Sequence, residues 1–344
     1  MLKAHVTLKE VAAFAGVSYQ TVSKVINHQI KVSADTEERI WQAVETLGYK
    51  PSYTARSLRT QRALTIGYSW APAPENQSNP ILDKFLQSMF VAAEQHGYYL
   101  LCFPYHEDSS KHLATYNQLM DTGRVDGFIL SNTEYDDPRI LLLLERKFPF
   151  VAFGRSNPEF SFPWIDIDGA EGIRQEVNHI IEQGHQKVAA LAWPANSRYG
   201  NDRLAGYLSE METKGLKIHP AWIKRGEGRF DFGYQATLEL LDLPQAIRPT
   251  ALVAMNDLMA IGAIEAAKTR KIKIGEEFAV GGFDNYPLVE YIDPPLTTLS
   301  QPITEVGYKV IDMLISVIHS RGDLQPPTVL LRPKLEIRKS TLRG

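Results

Sequence analysis

Apolar residues near the start of the chain recur at helical spacing in three short segments. In the first segment, 8–15, the apolar side chains share one face. Thr7 and Glu10 lie three residues apart at its beginning, which matches a helix capping box. Gly16 follows, and glycine often ends helices because it readily adopts a positive φ. The pattern therefore predicts a helix between Thr7 and Gly16.

Two further segments have the same periodicity. Ser18 is a typical helix cap, and the segment behind it runs through Ile26 with its valines on one face. Ser33 caps a third predicted helix, which Gly48 ends. Three short helices with so tight a first connection are typical of a helix-turn-helix unit. The second helix of such a unit enters the major groove of DNA by its amino-terminal residues.

Polar side chains occupy the first turns of this second helix. We expect base contacts from Tyr19, Gln20 and Lys24, because glutamine can bond an adenine edge twice and lysine can reach guanine acceptors. Hydroxyl groups at helix amino termini suit phosphate oxygens. We expect phosphate contacts from Thr7, Ser18, Thr21, Asn27 and Ser33. The alternative is structural, with Ser18 as a cap and Tyr19 as a cover for the core.

From Leu64 onward, short apolar runs alternate with amphipathic segments. The runs include LTIGYSW, VDGFIL, VAALAW and TALVAMN, and AEGIRQEVNHIIEQGH is one of the helical segments. This alternation predicts open parallel sheets with helices on both faces. Ligands bind such folds beyond the carboxyl ends of the strands. The residues directly after each run are therefore candidates for a ligand site.

Charge is divided unevenly along the chain. The first 62 of 344 residues carry nine Lys and Arg against five Asp and Glu, whereas the whole chain has a net charge of −3. A basic head on an acidic body indicates a polyanionic partner for the head alone.

Other function classes find little support in the sequence. The single cysteine, Cys102, cannot form an intramolecular disulfide. Neither an apolar run of about 18 residues nor a secretory signal stands out, so we expect a cytoplasmic protein without membrane association. No Gly-rich phosphate loop, nucleophile elbow or metal-spaced His/Cys set is evident, and the nine histidines do not cluster. We expect neither enzymatic activity, nor a cofactor, nor a metal site.

The sequence VTLKEVAAFAGVSYQTVSKVIN, followed by VSADTEERIWQAVETLGYKPSYTARSLR, resembles the head of the lactose-repressor (LacI) family of bacterial transcription regulators. The resemblance implies a helix-turn-helix DNA-binding domain over 1–50 and a hinge helix over 51–62. Ala55 and Leu58 would lie in the minor groove, where an apolar wedge kinks the duplex. The resemblance also implies a homodimer on a pseudo-palindromic operator in double-stranded DNA.

The resemblance continues through DRLAGY, ALVAMNDLMAIGA, GGFDN and PPLTTLSQP. The implied fold is a small all-α head followed by an α/β core, 63–344, of two open parallel-sheet subdomains, similar to periplasmic sugar-binding proteins. The implied bounds are 63–166 plus 298–324 for the first subdomain and 167–297 plus 325–344 for the second. A ligand cleft would lie between them.

The family pattern and the strand ends together suggest the effector contacts. Arg203, Asn256, Asp284 and Asp168 match the family's polar ligand contacts, and Trp70, Arg155, Trp193 and Phe230 are added as cleft residues. Family members usually carry an aromatic ring where this chain has Gly228. Phe230 or Phe232 is expected to supply that ring instead.

Together, these features predict a transcription repressor whose operator binding is controlled by a small saccharide, because sugar faces stack on tryptophan. A regulator that responds to a purine or a phosphorylated carrier protein as corepressor is the alternative, since aromatic rings also stack bases. A solute-binding receptor would use the core alone, and the presence of the head argues against it.

Overall fold

The structure, a computed structural model, describes residues 6–27, 29–49, 62–70, 79–320 and 325–343. The chain divides into two units, one that ends at Arg62 and one that begins at Ala63. The predicted hinge helix, with Ala55 and Leu58, lies outside the described residues.

The described residues of the first unit contain three helices: α1 (Leu8–Ala15), α2 (Tyr19–Ile26) and α3 (Ala34–Leu47). The capping box on α1 is present, since the Glu10 carboxylate accepts from the Thr7 N–H at 2.6 Å and Thr7 Oγ1 accepts from the Glu10 N–H at 3.4 Å. Gly16 and Gly48 end α1 and α3 with φ of 65° and 63°. The small core consists of Val11, Ala12, Ala15, Val22, Val25, Ile40 and Ala43. The predicted helical head is confirmed.

The second unit contains two six-stranded sheets. The strands of the first sheet are β1 (Thr65–Trp70), β2 (Tyr99–Pro104), β3 (Gly127–Ser131), β4 (Phe150–Phe153), β5 (Trp164–Ile167) and β11 (Thr328–Leu331). Their spatial order is β2-β1-β3-β4-β5-β11, and every neighbouring pair is parallel. The helices that accompany this sheet are α4 (Pro80–Gln95), α5 (Ser109–Asp121), α6 (Pro138–Glu145) and α11 (Ile303–His319). Four of the five residues of β3 are buried, as expected for a parallel strand covered on both faces.

The strands of the second sheet are β6 (Val188–Ala192), β7 (Ile223–Arg225), β8 (Ala251–Ala254), β9 (Ala279–Asp284), β10 (Thr297–Ser300) and β12 (Lys334–Glu336). Their order is β7-β6-β8-β9-β10-β12, parallel except for β12. The accompanying helices are α7 (Gly169–Glu182), α8 (Arg198–Thr213), α9 (Phe230–Leu241) and α10 (Asp257–Thr269). Three 3₁₀ turns lie at Pro220–Trp222, Pro287–Glu290 and Lys339–Thr341. Both sheets thus begin with the same strand order, and the predicted α/β core of two open, mainly parallel sheets is confirmed.

The chain passes between the two sheets three times: after β5, after β10 and between β11 and β12. All three crossings differ from the expected subdomain bounds, the first by one residue, since β5 ends at Ile167. The second crossing follows Ser300, because β10 pairs with β9, and the third follows Leu331, because β11 pairs with β5. The first lobe is therefore 63–167 plus 301–331, and the second lobe is 168–300 plus 332–343.

Within the described residues, no helix is both long and apolar enough to cross a membrane. The same residues contain no group of three or more His, Cys, Asp or Glu side chains that could hold a metal ion.

Two carboxyl side chains are buried inside the second lobe. Asp257 accepts hydrogen bonds from the Tyr286 N–H at 2.7 Å and from Thr298 Oγ1 at 2.5 Å. Glu176 on α7 is wholly buried, and neither of its oxygens has a hydrogen bond of ordinary geometry to any described residue. Burial, and after it the Asp257 carboxyl, raise the pKa of Glu176 well above its usual range, and only a backbone contact with Gly282 opposes the rise. Glu176 therefore keeps its proton at pH values where an exposed glutamate has lost it.

We expect Glu176→Gln to change the pH dependence of stability. Because the folded-state pKa of Glu176 is raised, its contribution to stability is fully present below the unfolded pKa and is lost as pH rises toward the folded value. Glutamine removes this dependence. The melting temperature of the wild type should therefore fall relative to that of the variant as the pH rises above the pKa of a glutamate in the unfolded chain.

The matched control is Glu145→Gln, which makes the same change at an exposed position. Its melting temperature should follow the wild type across the pH range. A constant difference between wild type and Glu176→Gln would contradict a buried, protonated Glu176.

Candidate functional site

The carboxyl ends of strands from both sheets surround a cavity of about 300 Å³. The first lobe contributes Tyr68, Phe85, Ser131, Asn132, Phe153, Arg155 and Asp166, and the second lobe contributes Trp193, Arg198, Tyr199, Asp202, Arg203, Asn256, Asp284 and Tyr286, among others. Open parallel sheets bind ligands at this edge because successive loops and helix amino termini converge there. The volume suits a small molecule, since ligand pockets are typically on the order of 300–1,000 Å³.

Arg203 and Asp284 form the polar centre of the cavity. The Arg203 guanidinium donates to the Met255 carbonyl at 2.5 Å, lies 3.5 Å from the ring centroid of Phe283 and comes within 3.9 Å of Asp284 Oδ1. Gln301 Nε2 donates to the same Oδ1 at 2.6 Å. Burial raises the pKa of Asp284 to about 6, and the Arg203 guanidinium and the Gln301 amide oppose that rise.

Asn256 holds two backbone segments together at the end of β8. It is the N-cap of α10, where its Oδ1 accepts from the Met259 N–H at 2.9 Å, and its Nδ2 donates to the Gly228 carbonyl at 2.8 Å. Asp257 is the first residue of α10, and its side chain is buried. A ligand that reaches Asn256 therefore meets a side chain that is already fixed in position.

Arg155 connects the two lobes. It follows β4 in the first lobe, where its Nε donates to Asp166 at 2.8 Å, and its Nη2 donates to Asp202 on α8 of the second lobe at 2.7 Å. Arg198 pairs with the other oxygen of Asp202, and its guanidinium lies 5.6 Å from the ring centroid of Tyr135 in the first lobe. These ion pairs compensate the Arg155 charge within the protein, so a ligand need not do so.

Trp193 supplies an aromatic wall. Its indole N–H donates to the Met255 carbonyl at 3.3 Å, and its ring meets Tyr199 edge to face with centroids 5.2 Å apart. The indole is half-buried, with part of its surface in the cavity. Aromatic rings of this kind pack against flat apolar surfaces.

Five of the eight residues expected to contact the effector line the cavity: Arg155, Trp193, Arg203, Asn256 and Asp284. The other three lie elsewhere. Asp168 caps α7 by accepting from the Glu171 N–H at 3.0 Å, and Trp70 ends β1 with 40% of its surface exposed. Phe230 is 43% exposed and stacks on Tyr234 of the same helix. It therefore does not supply the aromatic ring that was expected in the cavity in place of a side chain at Gly228.

Sequence reasoning missed several cavity residues. Tyr199 lies four residues before Arg203 on α8, so its helical spacing from Arg203 could have indicated it. Arg198 and Asp202 have this spacing from each other but not from Arg203. Gln301 directly follows β10, so the expectation that residues after strand ends line the ligand site could have indicated it. Tyr286 carries no such local signal, because it follows an irregular turn after β9.

A second candidate surface lies on α2 of the head. Tyr19, Gln20 and Lys24 are exposed, whereas the two valines of the helix are buried. Ser18 acts as the N-cap, with its Oγ accepting from the Thr21 N–H at 3.1 Å and lying 2.8 Å from Thr21 Oγ1. Thr7 and Ser33 cap α1 and α3 in the same way, and the Asn27 amide donates to the Ser23 carbonyl. Ser18 is thus both a cap and an exposed hydroxyl beside the polar surface.

We expect Asp202→Asn to weaken the contact between the lobes. Asparagine cannot compensate the Arg155 and Arg198 charges, and a partly exposed ion pair contributes about 1 kcal/mol. The free energy of unfolding should fall by roughly that amount in about 0.1 M salt, and the difference should shrink in about 1 M salt because ions screen the pair. Thermal melts at both salt concentrations measure the effect.

Asp242→Asn is the control, because Asp242 pairs with Arg270 within the second lobe and its side chain is 57% exposed. This variant should lose less stability. Equal melting temperatures for wild type and Asp202→Asn at both salt concentrations would show that the pair does not hold the lobes together.

Comparison with known proteins identifies the two parts of the chain. Residues 7–52 match the family model of bacterial regulatory proteins, lacI family, and residues 177–341 match the periplasmic binding protein-like domain. The HTH-type transcriptional repressor PurR of Escherichia coli O139:H28 is 32% identical over 340 residues, which cover 98% of this chain and 97% of PurR.

Solved structures agree with these matches. A regulatory protein of the LacI family from Chloroflexus aggregans is 49% identical with a TM-score of 0.77, covering 82% of this chain and 99% of that one. The lac repressor dimer bound to operator and the anti-inducer ONPF has a TM-score of 0.84 at 28% identity, and a complex of the transcriptional regulator CelR with cellobiose has 0.73 at 29%. Each of these two matches covers 98% of this chain and 100% of the solved chain. With its helix-turn-helix head and its ligand-binding core, this chain belongs to the LacI family of bacterial transcription regulators and is a DNA-binding regulator rather than an enzyme.

Proposed function

We propose that the protein is a homodimeric repressor, acting in the cytoplasm on a pseudo-palindromic operator, and that a small saccharide in the cavity controls its DNA binding. The observation that carries the ligand assignment is the meeting of Arg203, Asp284 and Trp193 in one cavity. The solved complex of CelR with cellobiose supports a saccharide in a core of this fold.

The chemistry of the cavity favours a polyhydroxylated ligand. A guanidinium and a carboxyl group 3.9 Å apart can bond adjacent hydroxyls, one as donor and the other chiefly as acceptor. The Trp193 indole offers an apolar surface to the carbon face of a sugar ring. The remaining charges compensate one another, since Arg155 and Arg198 pair with Asp166 and Asp202.

The exposed side chains of α2 support base reading in the major groove. In this proposal Tyr19, Gln20 and Lys24 contact base edges. The phosphate contacts come from Thr7, Ser18, Thr21, Asn27 and Ser33. Ala55 and Leu58 of the hinge complete the interface in the minor groove. A two-fold dimer would present two copies of α2 to the two half-sites of the operator.

Control by the ligand requires a preference between two states of the core. An inducer must bind the state that holds DNA poorly, and a tenfold change in operator affinity needs about 1.4 kcal/mol of coupling. Corepression by a purine or a phosphorylated carrier protein is the second candidate, and the Trp193 and Tyr199 rings favour the purine because they would also stack a base. The two functions differ in the sign of the ligand's effect on DNA binding.

Two assays separate these functions. An operator is first selected from random duplexes by the full-length protein, and mobility shift is then measured with and without mono- and disaccharides, adenine and guanine. Loss of binding with a saccharide supports induction, gain of binding with a purine supports corepression, and selection of no duplex contradicts both. A thermal-shift screen finds the ligand directly, because one present at 100 times its Kd stabilises the core by about 2.7 kcal/mol.

We expect Gln20→Ala to weaken binding to the selected operator by roughly five- to 150-fold, the equivalent of about 1–3 kcal/mol for a lost bidentate base contact. The mobility shift should also show less discrimination at one base position of each half-site. Thermal stabilisation by the effector should stay unchanged, because the core is intact.

Gln42→Ala makes the same chemical change at an exposed position of α3 and serves as the control. It should keep nearly wild-type affinity and sequence preference. Wild-type affinity for Gln20→Ala as well would remove Gln20 from the base-reading surface.

A further inference from the structure

Two glycines beside the cavity are required by space rather than by backbone conformation. Neither Gly200, within α8, nor Gly228, before α9, has the positive φ that makes other residues unfavourable. A Cβ at Gly228 would lie 2.2 Å from Cη2 of the Trp193 indole, and a Cβ at Gly200 would lie 2.4 Å from Trp193 Cβ. Real Cβ atoms do not come this close to neighbours, so any larger residue at either position would displace Trp193. At Gly228 it would also displace the Asn256 amide, because Asn256 Nδ2 would lie 2.5 Å from the same Cβ.

The indole is fixed from several directions at once. Gly200 leaves room for its Cβ and Gly228 for its far edge. Tyr199 meets the ring edge to face, and the indole N–H donates to the Met255 carbonyl. Asn256 in turn fixes the segment around Gly228 by donating to its carbonyl at 2.8 Å. The ring therefore has a defined orientation before any ligand arrives.

The same Met255 carbonyl joins the ring to the polar centre of the cavity. It accepts from the Trp193 indole at 3.3 Å and from the Arg203 guanidinium at 2.5 Å. A flat apolar surface and a group that bonds hydroxyls are thus held at a fixed separation. A six-membered sugar ring has these two features, with C–H bonds on its faces and hydroxyls around its edge.

We propose that Gly200 and Gly228 determine ligand specificity by admitting the Trp193 indole as the stacking platform for a pyranose ring. This inference rests on the proposed saccharide effector and assigns the part of the cavity that selects it. The ligand stacks a carbon face on the indole while its edge hydroxyls reach Arg203 and Asp284. Saccharides with an axial hydroxyl on the stacked face would bind more weakly, because that hydroxyl separates the two surfaces.

The test uses full-length protein and four probes: cellobiose, maltose, lactose and adenosine. The saccharide that binds the wild type most tightly by calorimetry is then titrated into three variants. Trp193→Leu removes the ring but keeps an apolar side chain, and Gly228→Ala displaces the ring. Each should weaken binding roughly tenfold, as expected for the loss of one aromatic contact. The double variant Trp193→Gly/Gly228→Trp returns an indole to the same space from the other side and should recover part of the affinity.

A merely structural role for Trp193 predicts a different outcome. Trp222 is the control, because it is buried away from the cavity and its indole donates to the Ile247 carbonyl at 2.7 Å. Trp222→Leu should lower the melting temperature and leave the affinity for the saccharide unchanged. Wild-type affinity in Trp193→Leu would overturn the platform while leaving the saccharide effector in place.

Melting temperatures measured without ligand test, independently of any binding, whether the Trp193 indole occupies the space beside Gly228. Gly228→Trp alone should be destabilised, because two indoles cannot occupy the same space, and adding Trp193→Gly should restore part of the stability. The recovery is partial because the Asn256 amide must still move. Unchanged melting of Gly228→Trp, or no recovery in the double variant, would overturn the proposal even if no probe binds. If adenosine binds the wild type and no saccharide does, the effector class is wrong. That outcome overturns the pyranose platform, and weaker adenosine binding in Trp193→Leu would show that the indole stacks a base instead.

Discussion

The ligand site depends on one guanidinium that is kept out of water. Removal of a charged side chain from solvent costs several kcal/mol unless hydrogen bonds and opposite charge compensate it. The second lobe supplies this compensation to Arg203 from several elements: the Met255 carbonyl after β8, the Phe283 ring on β9 and the Asp284 carboxyl at the end of β9. Gly169 at the start of α7 leaves space for the side chain, since a Cβ there would lie 2.8 Å from Arg203 Cγ. The position of Arg203 therefore fixes how β8, β9, α7 and α8 meet beneath the cavity.

The contact between the lobes depends on a second set of charges. Arg155 and Asp202 lie in different lobes, and each side chain is 24% exposed, so their attraction is partly screened by water. Such a pair is strong enough to favour one arrangement of the lobes and weak enough to be outweighed by a ligand. Hydrophobic packing of equal extent would hold the lobes more rigidly, because it would have to be exposed to water whenever they separate.

How much of this molecule could be predicted from its sequence depends on the distance over which each signal acts. Caps such as Thr7 and Ser18 involve neighbours three residues away, and the alternation of strands and helices is equally local, so head, core and strand ends were predictable. The family resemblance suggested Arg203 and Asp284, whereas the strand-end rule suggested Arg155 and Trp193, which line the cavity, but also Trp70, which does not, because a strand end does not define where a side chain points. The bounds of the lobes were shifted because strands such as β11 can pair with either sheet, and only the pairing decides.

The aromatic wall formed by Trp193 shows most clearly what could not be predicted from the sequence. Gly228 was recognised in the sequence as a missing ring, and the nearest phenylalanine, Phe230, was the local substitute. The structure fills the space with Trp193, which is 35 positions away in the sequence, from the end of a different strand. No local pattern connects these two residues, since their contact exists only after β6 and the segment before α9 are placed side by side. Only the folded structure shows that Trp193 occupies the space left by the missing side chain at Gly228.

A ligand can change the arrangement of the lobes only if it contacts them unequally in two states. Both lobes contribute polar groups to the lining of the cavity, and Arg155 of the first lobe is already paired with Asp166 and Asp202. The first lobe also offers an apolar contact through the lining residues Phe85 and Phe153, whose ring centroids are 5.1 Å apart. A sugar stacked on Trp193 would gain this apolar contact only when the lobes are close. Contacts of this kind, made unequally in two arrangements of the lobes, would couple ligand binding to the response of the regulator.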